Sequence, residues 1–260
     1  MNQPFHTPQS PAPLTLITGG SRGLGAAMAL ALARSGHDVL ITYRESAEAA
    51  QVVAEQVRAL GRRAAALPLE MAQVDGFPAF VQALKVQLAD WGREQLDGLI
   101  NNAGAGIHAS VTETTPAQFE QMWRLHLQGP FFLTQALVPL LADGARLLNI
   151  SSGLTRFTVP GYAAYAAMKG AVEVMSRYQA KELAARGIRV NTLAPGAIAT
   201  DFGGGAVRDN AQLNAFLASV TALGRVGEAA DIGGAVAALM QPGAAWITGQ
   251  RIEASGGMFL

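Results

Sequence analysis

Short apolar runs of β-type composition alternate along this chain with longer amphipathic stretches that have helical periodicity. The runs are LTLIT at 14–18, DVLITY at 38–43, AAALPLE at 64–70, LDGLINNAG at 96–104, whose end runs into a loop, ARLLNISS at 145–152, IRVNTLAPG at 188–196 and WITGQRIEA at 246–254. Strands joined through helices pair in parallel, and the helices then cover both faces of the sheet. The pattern predicts an α/β fold on one doubly wound parallel sheet.

Helix boundaries can be predicted where capping residues flank the amphipathic stretches. Ser46 is placed to cap the helix that follows the second strand, and Gly61 closes that helix. Thr115 followed by Pro116 marks the start of a long helix over 115–144. No linker-like segment interrupts the alternation, so we expect a flexible N-terminal tail over 1–13 and one domain over 14–260.

The composition excludes several kinds of site. The chain has no cysteine, which removes disulfides, thiolate metal ligands and a cysteine nucleophile, and its four histidines form no i, i+4 ligand pair. The formal net charge is zero, so nothing favours nucleic acid or an anionic membrane as a partner. The longest apolar run, 24–33, is shorter than the ~20 residues that span a bilayer. The N-terminus lacks the basic start and apolar stretch of a secretory signal, so we expect a cytoplasmic protein without a metal.

A glycine-rich turn, TGGSRGLG at 18–25, follows the first strand directly and opens a helix. Gly19, Gly23 and Gly25 allow the backbone to turn sharply and to approach a ligand closely. The free N–H groups of the helix N-terminus then favour an anion such as a pyrophosphate. An ordinary glycine-rich turn is the alternative, and the position between strand and helix favours phosphate binding.

The spacing of these glycines, T-G-x-x-x-G-x-G, resembles the short-chain dehydrogenase/reductase family rather than the G-x-G-x-x-G dinucleotide pattern. NNAG at 101–104, Ser152 with Tyr165 and Lys169, and PGAIAT at 195–200 fit the same family in order. The resemblance runs from about 14 to 257 and is closest to bacterial 3-oxoacyl-[acyl-carrier-protein] reductases and related ketoreductases. It implies a Rossmann fold, an NADP(H) cofactor, and a homotetramer or homodimer.

Tyr165 and Lys169 are four residues apart and therefore share one face of a helix. Reduction of a ketone by hydride requires a proton donor for the developing alkoxide, and a nearby ammonium lowers the pKa of a phenol. The resemblance makes Tyr165 the acid/base and assigns Lys169 a second role, binding of the nicotinamide ribose. Ser152 is expected to hold the substrate oxygen.

Three further residues are candidates for supporting roles. Tyr162 lies seven residues before Lys169, but the Y-x-x-x-K spacing of the family selects Tyr165, which leaves Tyr162 as a wall of the substrate pocket. His126 stands where the family usually has an asparagine that organises a proton relay. It is a catalytic candidate, with a packed core histidine as the alternative. Ser151 is expected to have a structural role.

The resemblance also implies a set of cofactor-binding residues. They are Gly19, Ser21, Arg22, Gly23, Leu24, Gly25, Tyr43, Arg44, Ser46, Glu70, Met71, Asn102, Ala103, Gly104, Tyr165, Lys169, Pro195, Gly196, Ile198 and Thr200. Tyr43 occupies the position at which NAD-preferring relatives carry an acid, and Arg44 follows it. The guanidinium of Arg44 can form two hydrogen bonds to a 2′-phosphate, so NADPH is the expected cofactor. Glu45 could reach the same region and reduce the preference for NADPH over NADH.

The segment 201–224 is expected to cover the active site. Gly153, Tyr162, Phe202 and Phe216 are the predicted pocket residues. The expected substrate is a small carbonyl compound or alcohol, with an acyl thioester as one candidate. Two alternatives stay open: a cofactor-binding sensor or scaffold without turnover, and an epimerase on the same fold.

Overall fold

A computed structural model describes residues 12–260, and most of the predicted tail, residues 1–11, lies outside the described residues. The predicted parallel α/β sheet is confirmed: seven strands lie in the order β3-β2-β1-β4-β5-β6-β7, and every neighbouring pair is parallel. The strands are β1 (Leu14–Ile17), β2 (Asp38–Tyr43), β3 (Ala64–Pro68), β4 (Leu96–Asn101), β5 (Leu141–Ile150), β6 (Arg189–Pro195) and β7 (Arg251–Ala254).

The strand order reverses direction between β1 and β4. In a doubly wound sheet this reversal opens a crevice at the carboxyl ends of the strands, where ligands bind. The β1 residues Leu14, Leu16 and Ile17 have no exposed surface, because helices cover both faces of the sheet at this point. Burial on both faces explains why the central strands read as near-continuous apolar runs.

Helices form a layer on each face of the sheet. One layer, which packs on Ile17 and Ile41, contains α1, α2 and α9, and the other, which packs on Leu16 and Leu99, contains α3, α5 and the C-terminal part of α6. The helices are α1 (Gly23–Arg34), α2 (Ala47–Ala59), α3 (Phe77–Asp90), α4 (Pro116–Trp123), α5 (Gly129–Leu137), α6 (Ala163–Glu182), α7 (Ala206–Asp209), α8 (Ala211–Ser219) and α9 (Ala229–Leu239).

The long helix expected over 115–144 is in fact α4 and α5 joined by a π-helical turn, Arg124–Gln128. Pro130 has no N–H to donate to the carbonyl of residue 126, so the α-helical hydrogen-bond ladder is interrupted there. Helix α5 ends at Leu137, two residues before Pro139, and β5 already begins at Leu141. The predicted helix was therefore too long, and the interruption places His126 inside the turn.

The capping predictions had mixed outcomes. Thr115 forms the expected cap, because its Oγ1 accepts from the backbone N–H of Gln118 at 3.2 Å while its own N–H donates to the Gln118 side chain at 2.9 Å. Ser46 occupies the N-cap position of α2, but its hydroxyl makes no capping bond.

The final strand is shorter than expected. The pattern predicted 246–254, whereas β7 contains only Arg251–Ala254. Within residues 12–260, no helix is both long enough and apolar enough to cross a membrane.

Candidate active site

A cavity of about 630 Å³ lies in the crevice at the carboxyl ends of the strands. Segments that follow β1, β2, β4, β5 and β6 line it, together with α6 and the region around α7 and α8. All of the residues predicted to bind the cofactor line this cavity, as do Ser152 and His126. The topology thus brings into one site residues that lie far apart in sequence.

The glycine turn after β1 forms one end of the cavity. Gly19 has a φ of +67°, and Gly25 lies so close to it that a Cβ there would stand 2.1 Å from the Gly19 carbonyl oxygen. Arg22 occupies the N-cap position of α1 without a side-chain capping bond. Around Gly23, the nearest atom to an added Cβ would be Cβ of Thr200, 3.9 Å away. The first turn of α1 therefore presents its N–H groups to an open cradle that fits a pyrophosphate.

The loop after β4 is tied to this turn by hydrogen bonds. The Asn102 side-chain amide donates to the carbonyls of Thr18 (2.9 Å) and Gly19 (3.0 Å). The backbone N–H groups of Asn102 and Ala103 both donate to the Thr18 hydroxyl at 3.0 Å. These bonds join the ends of the adjacent strands β1 and β4 and hold Ala103 and Gly104 at the cavity wall.

Charged side chains surround the end of β2. Arg44 is half-exposed and pairs with Glu45 at 2.9 Å and, more loosely, with Glu70 at 3.7 Å. Arg22 is exposed, and the structure gives it no ion pair within residues 12–260. The hydroxyl of Ser46, which makes no capping hydrogen bond, also lies on this part of the cavity wall. Two guanidinium groups and one hydroxyl therefore lie at this end of the cavity, where a phosphate would compete with Glu45 for Arg44.

Ser152, Tyr165 and Lys169 meet at the other end of the cavity. Ser152 follows β5, and its hydroxyl oxygen accepts from the Leu154 N–H at 3.2 Å. Tyr165 and Lys169 lie on α6 and are 7% and 4% exposed. The Lys169 ammonium donates to the Ile150 carbonyl at 2.7 Å, which fixes it behind the Tyr165 ring.

The pKa of Tyr165 is shifted in the direction opposite to the one expected. Burial raises the pKa of Tyr165, and the hydrogen bond from Ser152 only partly opposes that effect. Burial also lowers the pKa of Lys169 to about 8. We expected Lys169 to lower the pKa of Tyr165, but its Nζ lies 5.7 Å from the centre of the phenol ring and is directed to the Ile150 carbonyl. In this structure desolvation of the phenol sets the direction of its pKa shift.

His126 is buried in the π-helical turn against Tyr165. Its Nε2 donates to the Ala105 carbonyl at 2.7 Å, since a carbonyl oxygen only accepts, and Nδ1 then remains as an acceptor with no partner within residues 12–260. Burial, and next the charge of Lys169, lower the pKa of His126 to about 3. Gly104 makes room for the ring, because a Cβ there would lie 2.8 Å from His126 Cε1.

Sequence reasoning missed an ionic network behind Ser152. The Glu173 carboxylate accepts from the hydroxyls of Ser151 and Thr155, both at 2.7 Å, and from Arg251 Nε at 2.8 Å. The structure thus gives Ser151 the structural contacts that were expected of it. Glu173 lies four residues after Lys169 on α6, and this spacing was the one available indication that it faces the same region.

The predicted pocket residues divide into two pairs. Tyr162 and Phe202 line the cavity, whereas Gly153 and Phe216 do not. Gly153 is buried against Phe157, whose ring would lie 2.7 Å from an added Cβ. Helix α8 directs Leu213 and Leu217, one turn apart, into the cavity and leaves Phe216 on its solvent side, 55% exposed.

The stretch PGAIAT leaves β6 along the cavity wall. Gly196 is required by close packing, because a Cβ there would lie 2.8 Å from Ser255 Cα. Ile198 and Thr200 face the cavity, and the Thr200 hydroxyl accepts from the Phe202 N–H at 3.3 Å. Phe202 is thereby held at the point where the segment 201–224 begins.

Comparison with known proteins agrees with this geometry. A family model described as enoyl-(acyl carrier protein) reductase matches residues 19–259. The short-chain dehydrogenase/reductase FrzI of Cladobotryum sp is 37% identical over 250 residues, which cover 94% of each chain. The chain belongs to the short-chain dehydrogenase/reductase family of oxidoreductases.

Two further similar proteins are a reductase of acyl-carrier-protein substrates and a ketoreductase. The 3-oxoacyl-[acyl-carrier-protein] reductase of Staphylococcus aureus is 34% identical over 247 residues, covering 94% of this chain and 97% of its own. The crystal structure of the angucycline C-6 ketoreductase LanV with bound NADP superposes with a TM-score of 0.87 at 36% identity, covering 95% of each chain.

Proposed function

We propose that this protein is an NADP(H)-dependent ketoreductase that reduces a ketone to a secondary alcohol and catalyses the reverse oxidation. The observation that carries the proposal is the convergence of the Ser152 hydroxyl, the Tyr165 phenol and the Lys169 ammonium at one end of a cavity whose other end is a glycine turn. A buried proton donor beside a dinucleotide cradle is what carbonyl reduction requires.

Each polar group has a distinct task at the reacting carbonyl. The hydride for the carbonyl carbon would come from the nicotinamide of a bound cofactor. Ser152 Oγ accepts from the Leu154 N–H, so its own hydrogen, which bonds to Tyr165 in this structure, can turn to the substrate oxygen instead. Tyr165 supplies the proton to that oxygen, and its raised pKa keeps the phenol protonated for reduction. Lys169 carries a buried positive charge that favours the oxyanion as it develops.

The cofactor would extend from the glycine turn to Lys169. The N–H groups at the start of α1 would hold the pyrophosphate, and Arg22, Arg44 and Ser46 would hold the 2′-phosphate. Lys169 would bind the nicotinamide ribose. The adenosine would lie among Tyr43, Glu70, Met71, Asn102, Ala103 and Gly104, and the carboxamide beside Pro195, Gly196, Ile198 and Thr200. The NADP bound to LanV supports this choice of cofactor.

Substitution of the two tyrosines tests the proposal. Tyr165→Phe should lower kcat for ketone reduction by roughly 10²-fold or more, because the proton donor is lost. Tyr162→Phe, the matched control on the cavity wall, should change kcat little. NADPH binding, followed by cofactor fluorescence, should be retained in both variants. A larger loss from Tyr162→Phe would contradict the assignment.

Two outcomes would favour the alternatives. A wild-type protein that binds NADPH but oxidises none of it with a panel of ketones would be a sensor or scaffold. Conversion of a chiral alcohol into its epimer with no net NADPH consumption would indicate an epimerase. Because the family model carries the name of an enoyl reductase, a 2-enoyl thioester belongs in the same panel.

A further inference from the structure

The substrate end of the cavity is lined almost entirely by apolar and aromatic side chains. Around Tyr165, the wall is formed by Leu154, Phe157, Tyr162, Phe202, Leu213 and Met258. Apart from Lys169, the charged group on this part of the wall is Asp201. The charged residues Arg22, Arg44, Glu45 and Glu70 all lie at the opposite end, next to the glycine turn and the end of β2.

Two arginines near the substrate end are already paired with carboxylates. Arg208 pairs with Asp201 and, through two hydrogen bonds of 2.7 and 2.8 Å, with Asp209. Arg156 pairs with Glu253 at 2.6 Å and also donates to the carbonyls of Met258 and Phe259. The remaining cation, Lys169, is held by the Ile150 carbonyl at 2.7 Å. A ligand carboxylate or phosphate in this region would therefore be buried among apolar groups with no unengaged cation beside it, which is costly.

Phe202 stands directly beside the proposed proton donor. The centres of the Phe202 and Tyr165 rings are 5.6 Å apart, with their planes inclined at 55°. Gly106 accommodates the Phe202 ring, since a Cβ there would lie 2.8 Å from Phe202 Cζ. The ring remains 41% exposed, and three consecutive glycines with positive φ, residues 203–205, follow it. A half-exposed aromatic ring next to the reacting group offers a surface on which a ring of the substrate can pack.

We propose that the substrate is an uncharged ketone whose carbonyl belongs to, or adjoins, an apolar ring system, and that Phe202 determines this specificity. The inference rests on the proposed function of Tyr165 as the proton donor to the ketone. Phe202 and the aliphatic wall bind the ring, while Ser152 and Tyr165 form hydrogen bonds to the carbonyl oxygen of the ketone. This arrangement excludes substrates that bring a negative charge into the cavity.

A matched pair of ketones tests the exclusion of charge. Methyl 4-acetylbenzoate and 4-acetylbenzoate carry the same aryl ketone, and only the second carries a carboxylate. The ester should have a kcat/KM with NADPH that is about tenfold or more higher than that of the acid. Equal values, or a preference for the acid, would overturn the inference while leaving the reductase function intact. Failure to reduce any ketone would overturn both.

Substitution of Phe202 tests the role of the ring. Phe202→Ala should lower kcat/KM for 2-tetralone by about tenfold, mainly through KM, and should affect 2-butanone much less. Phe216→Ala removes an exposed phenylalanine outside the cavity in the same segment and should alter neither substrate. Phe202→Leu, which preserves apolar volume, should lie between wild type and Phe202→Ala for 2-tetralone. An equal loss for both ketones, or no loss, would show that Phe202 does not select for rings. NADPH affinity, measured in parallel, should stay at the wild-type value in all three variants.

Discussion

The imidazole of His126 lies edge-on to the phenol ring of Tyr165, with ring centres 5.1 Å apart and planes at 89°. The π-helical turn produces this contact by carrying His126 inward between Gly104 and Tyr165. The ring is held by one hydrogen bond, to the Ala105 carbonyl, and its lowered pKa keeps it neutral. His126 thus packs on the proposed proton donor and also fixes the loop after β4.

We predict that His126→Asn keeps substantial activity whereas His126→Ala loses most of it. An asparagine amide can still donate to the Ala105 carbonyl and keep the loop in place. Alanine removes the hydrogen bond and leaves a cavity against Tyr165, at a cost of about 2–4 kcal/mol in stability. The measurements are kcat and KM for the ketone together with thermal unfolding. Equal, near-wild-type rates for both variants would restrict His126 to packing and remove it from the catalytic candidates.

The pH dependence of reduction should report Lys169. Its pKa is lowered by burial to about 8, so the ammonium is present below that pH and is lost as the pH rises through it. The pKa of Tyr165 is raised, so the phenol keeps its proton over the same range. We therefore expect kcat/KM for ketone reduction to fall above about pH 8. Rates measured in overlapping buffers between about pH 6 and 10 check this, and a profile that stays flat to the upper limit would contradict it.

The fold and the location of the site could be predicted from the sequence because their signals are local. Strand runs such as DVLITY, the glycine turn and the pairing of Tyr165 with Lys169 each depend on a few adjacent residues or on helical spacing. Parallel pairing of the strands then places the loops that follow them at one edge of the sheet. The order of the strands and loops in the sequence is therefore enough to locate the site. Phe202 could be placed on the cavity because it lies two residues after PGAIAT, at the start of the segment expected to cover the site.

What the sequence did not reveal depends on contacts between distant segments. The interruption of the long helix is the exception, because it follows from Pro130, a local signal. The requirement for a glycine at position 129 does depend on a distant segment, since a Cβ there would lie 2.2 Å from the Met71 carbonyl oxygen. Neither effect is visible in the hydrophobic periodicity. The direction of the Tyr165 pKa shift could not be read from spacing either, because it depends on how completely the folded chain removes water from the phenol.

Assembly through α6 is the next prediction. Gly170, Val174 and Tyr178 are spaced at four residues and form one stripe of this helix. Val174 and Tyr178 are 46% and 66% exposed, and a Cβ added at Gly170 would meet no atom within 4 Å. This small and apolar stripe can pack closely against a second copy of the chain. We expect light scattering to give a dimer or tetramer of the 27.1 kDa chain.

Charge introduced into this stripe should dissociate the assembly. Val174→Asp places a carboxylate in the expected interface and should shift the measured mass towards the monomer. Val86→Asp provides the control, because Val86 is also an exposed valine, 63% exposed, but lies on α3 and outside the α6 stripe. It should leave the mass unchanged. A wild-type protein that remains monomeric at micromolar concentration would refute assembly through α6.

The last prediction concerns the choice between NADPH and NADH. Wild-type protein should prefer NADPH by about tenfold or more in kcat/KM, equivalent to about 1.4 kcal/mol. Arg44 and Arg22 are both exposed at the end of the cavity where the 2′-phosphate would bind, and no carboxylate occupies position 43. Arg44→Ala should therefore raise KM for NADPH and barely change KM for NADH. A wild-type enzyme that uses both cofactors equally well would contradict this assignment.

Glu45 provides a second, opposite test of the same site. Its carboxylate pairs with Arg44 at 2.9 Å, so it competes with a cofactor phosphate for the guanidinium and repels that phosphate. Glu45→Gln should consequently lower KM for NADPH and widen the preference over NADH, whereas Arg44→Ala narrows it. Because both side chains of the ion pair are exposed, the change should be modest and should shrink as salt is added. Steady-state kinetics with each cofactor at low and high salt measure both effects. If Glu45→Gln weakened NADPH binding instead, the ion pair would be positioning Arg44 for the phosphate rather than competing with it.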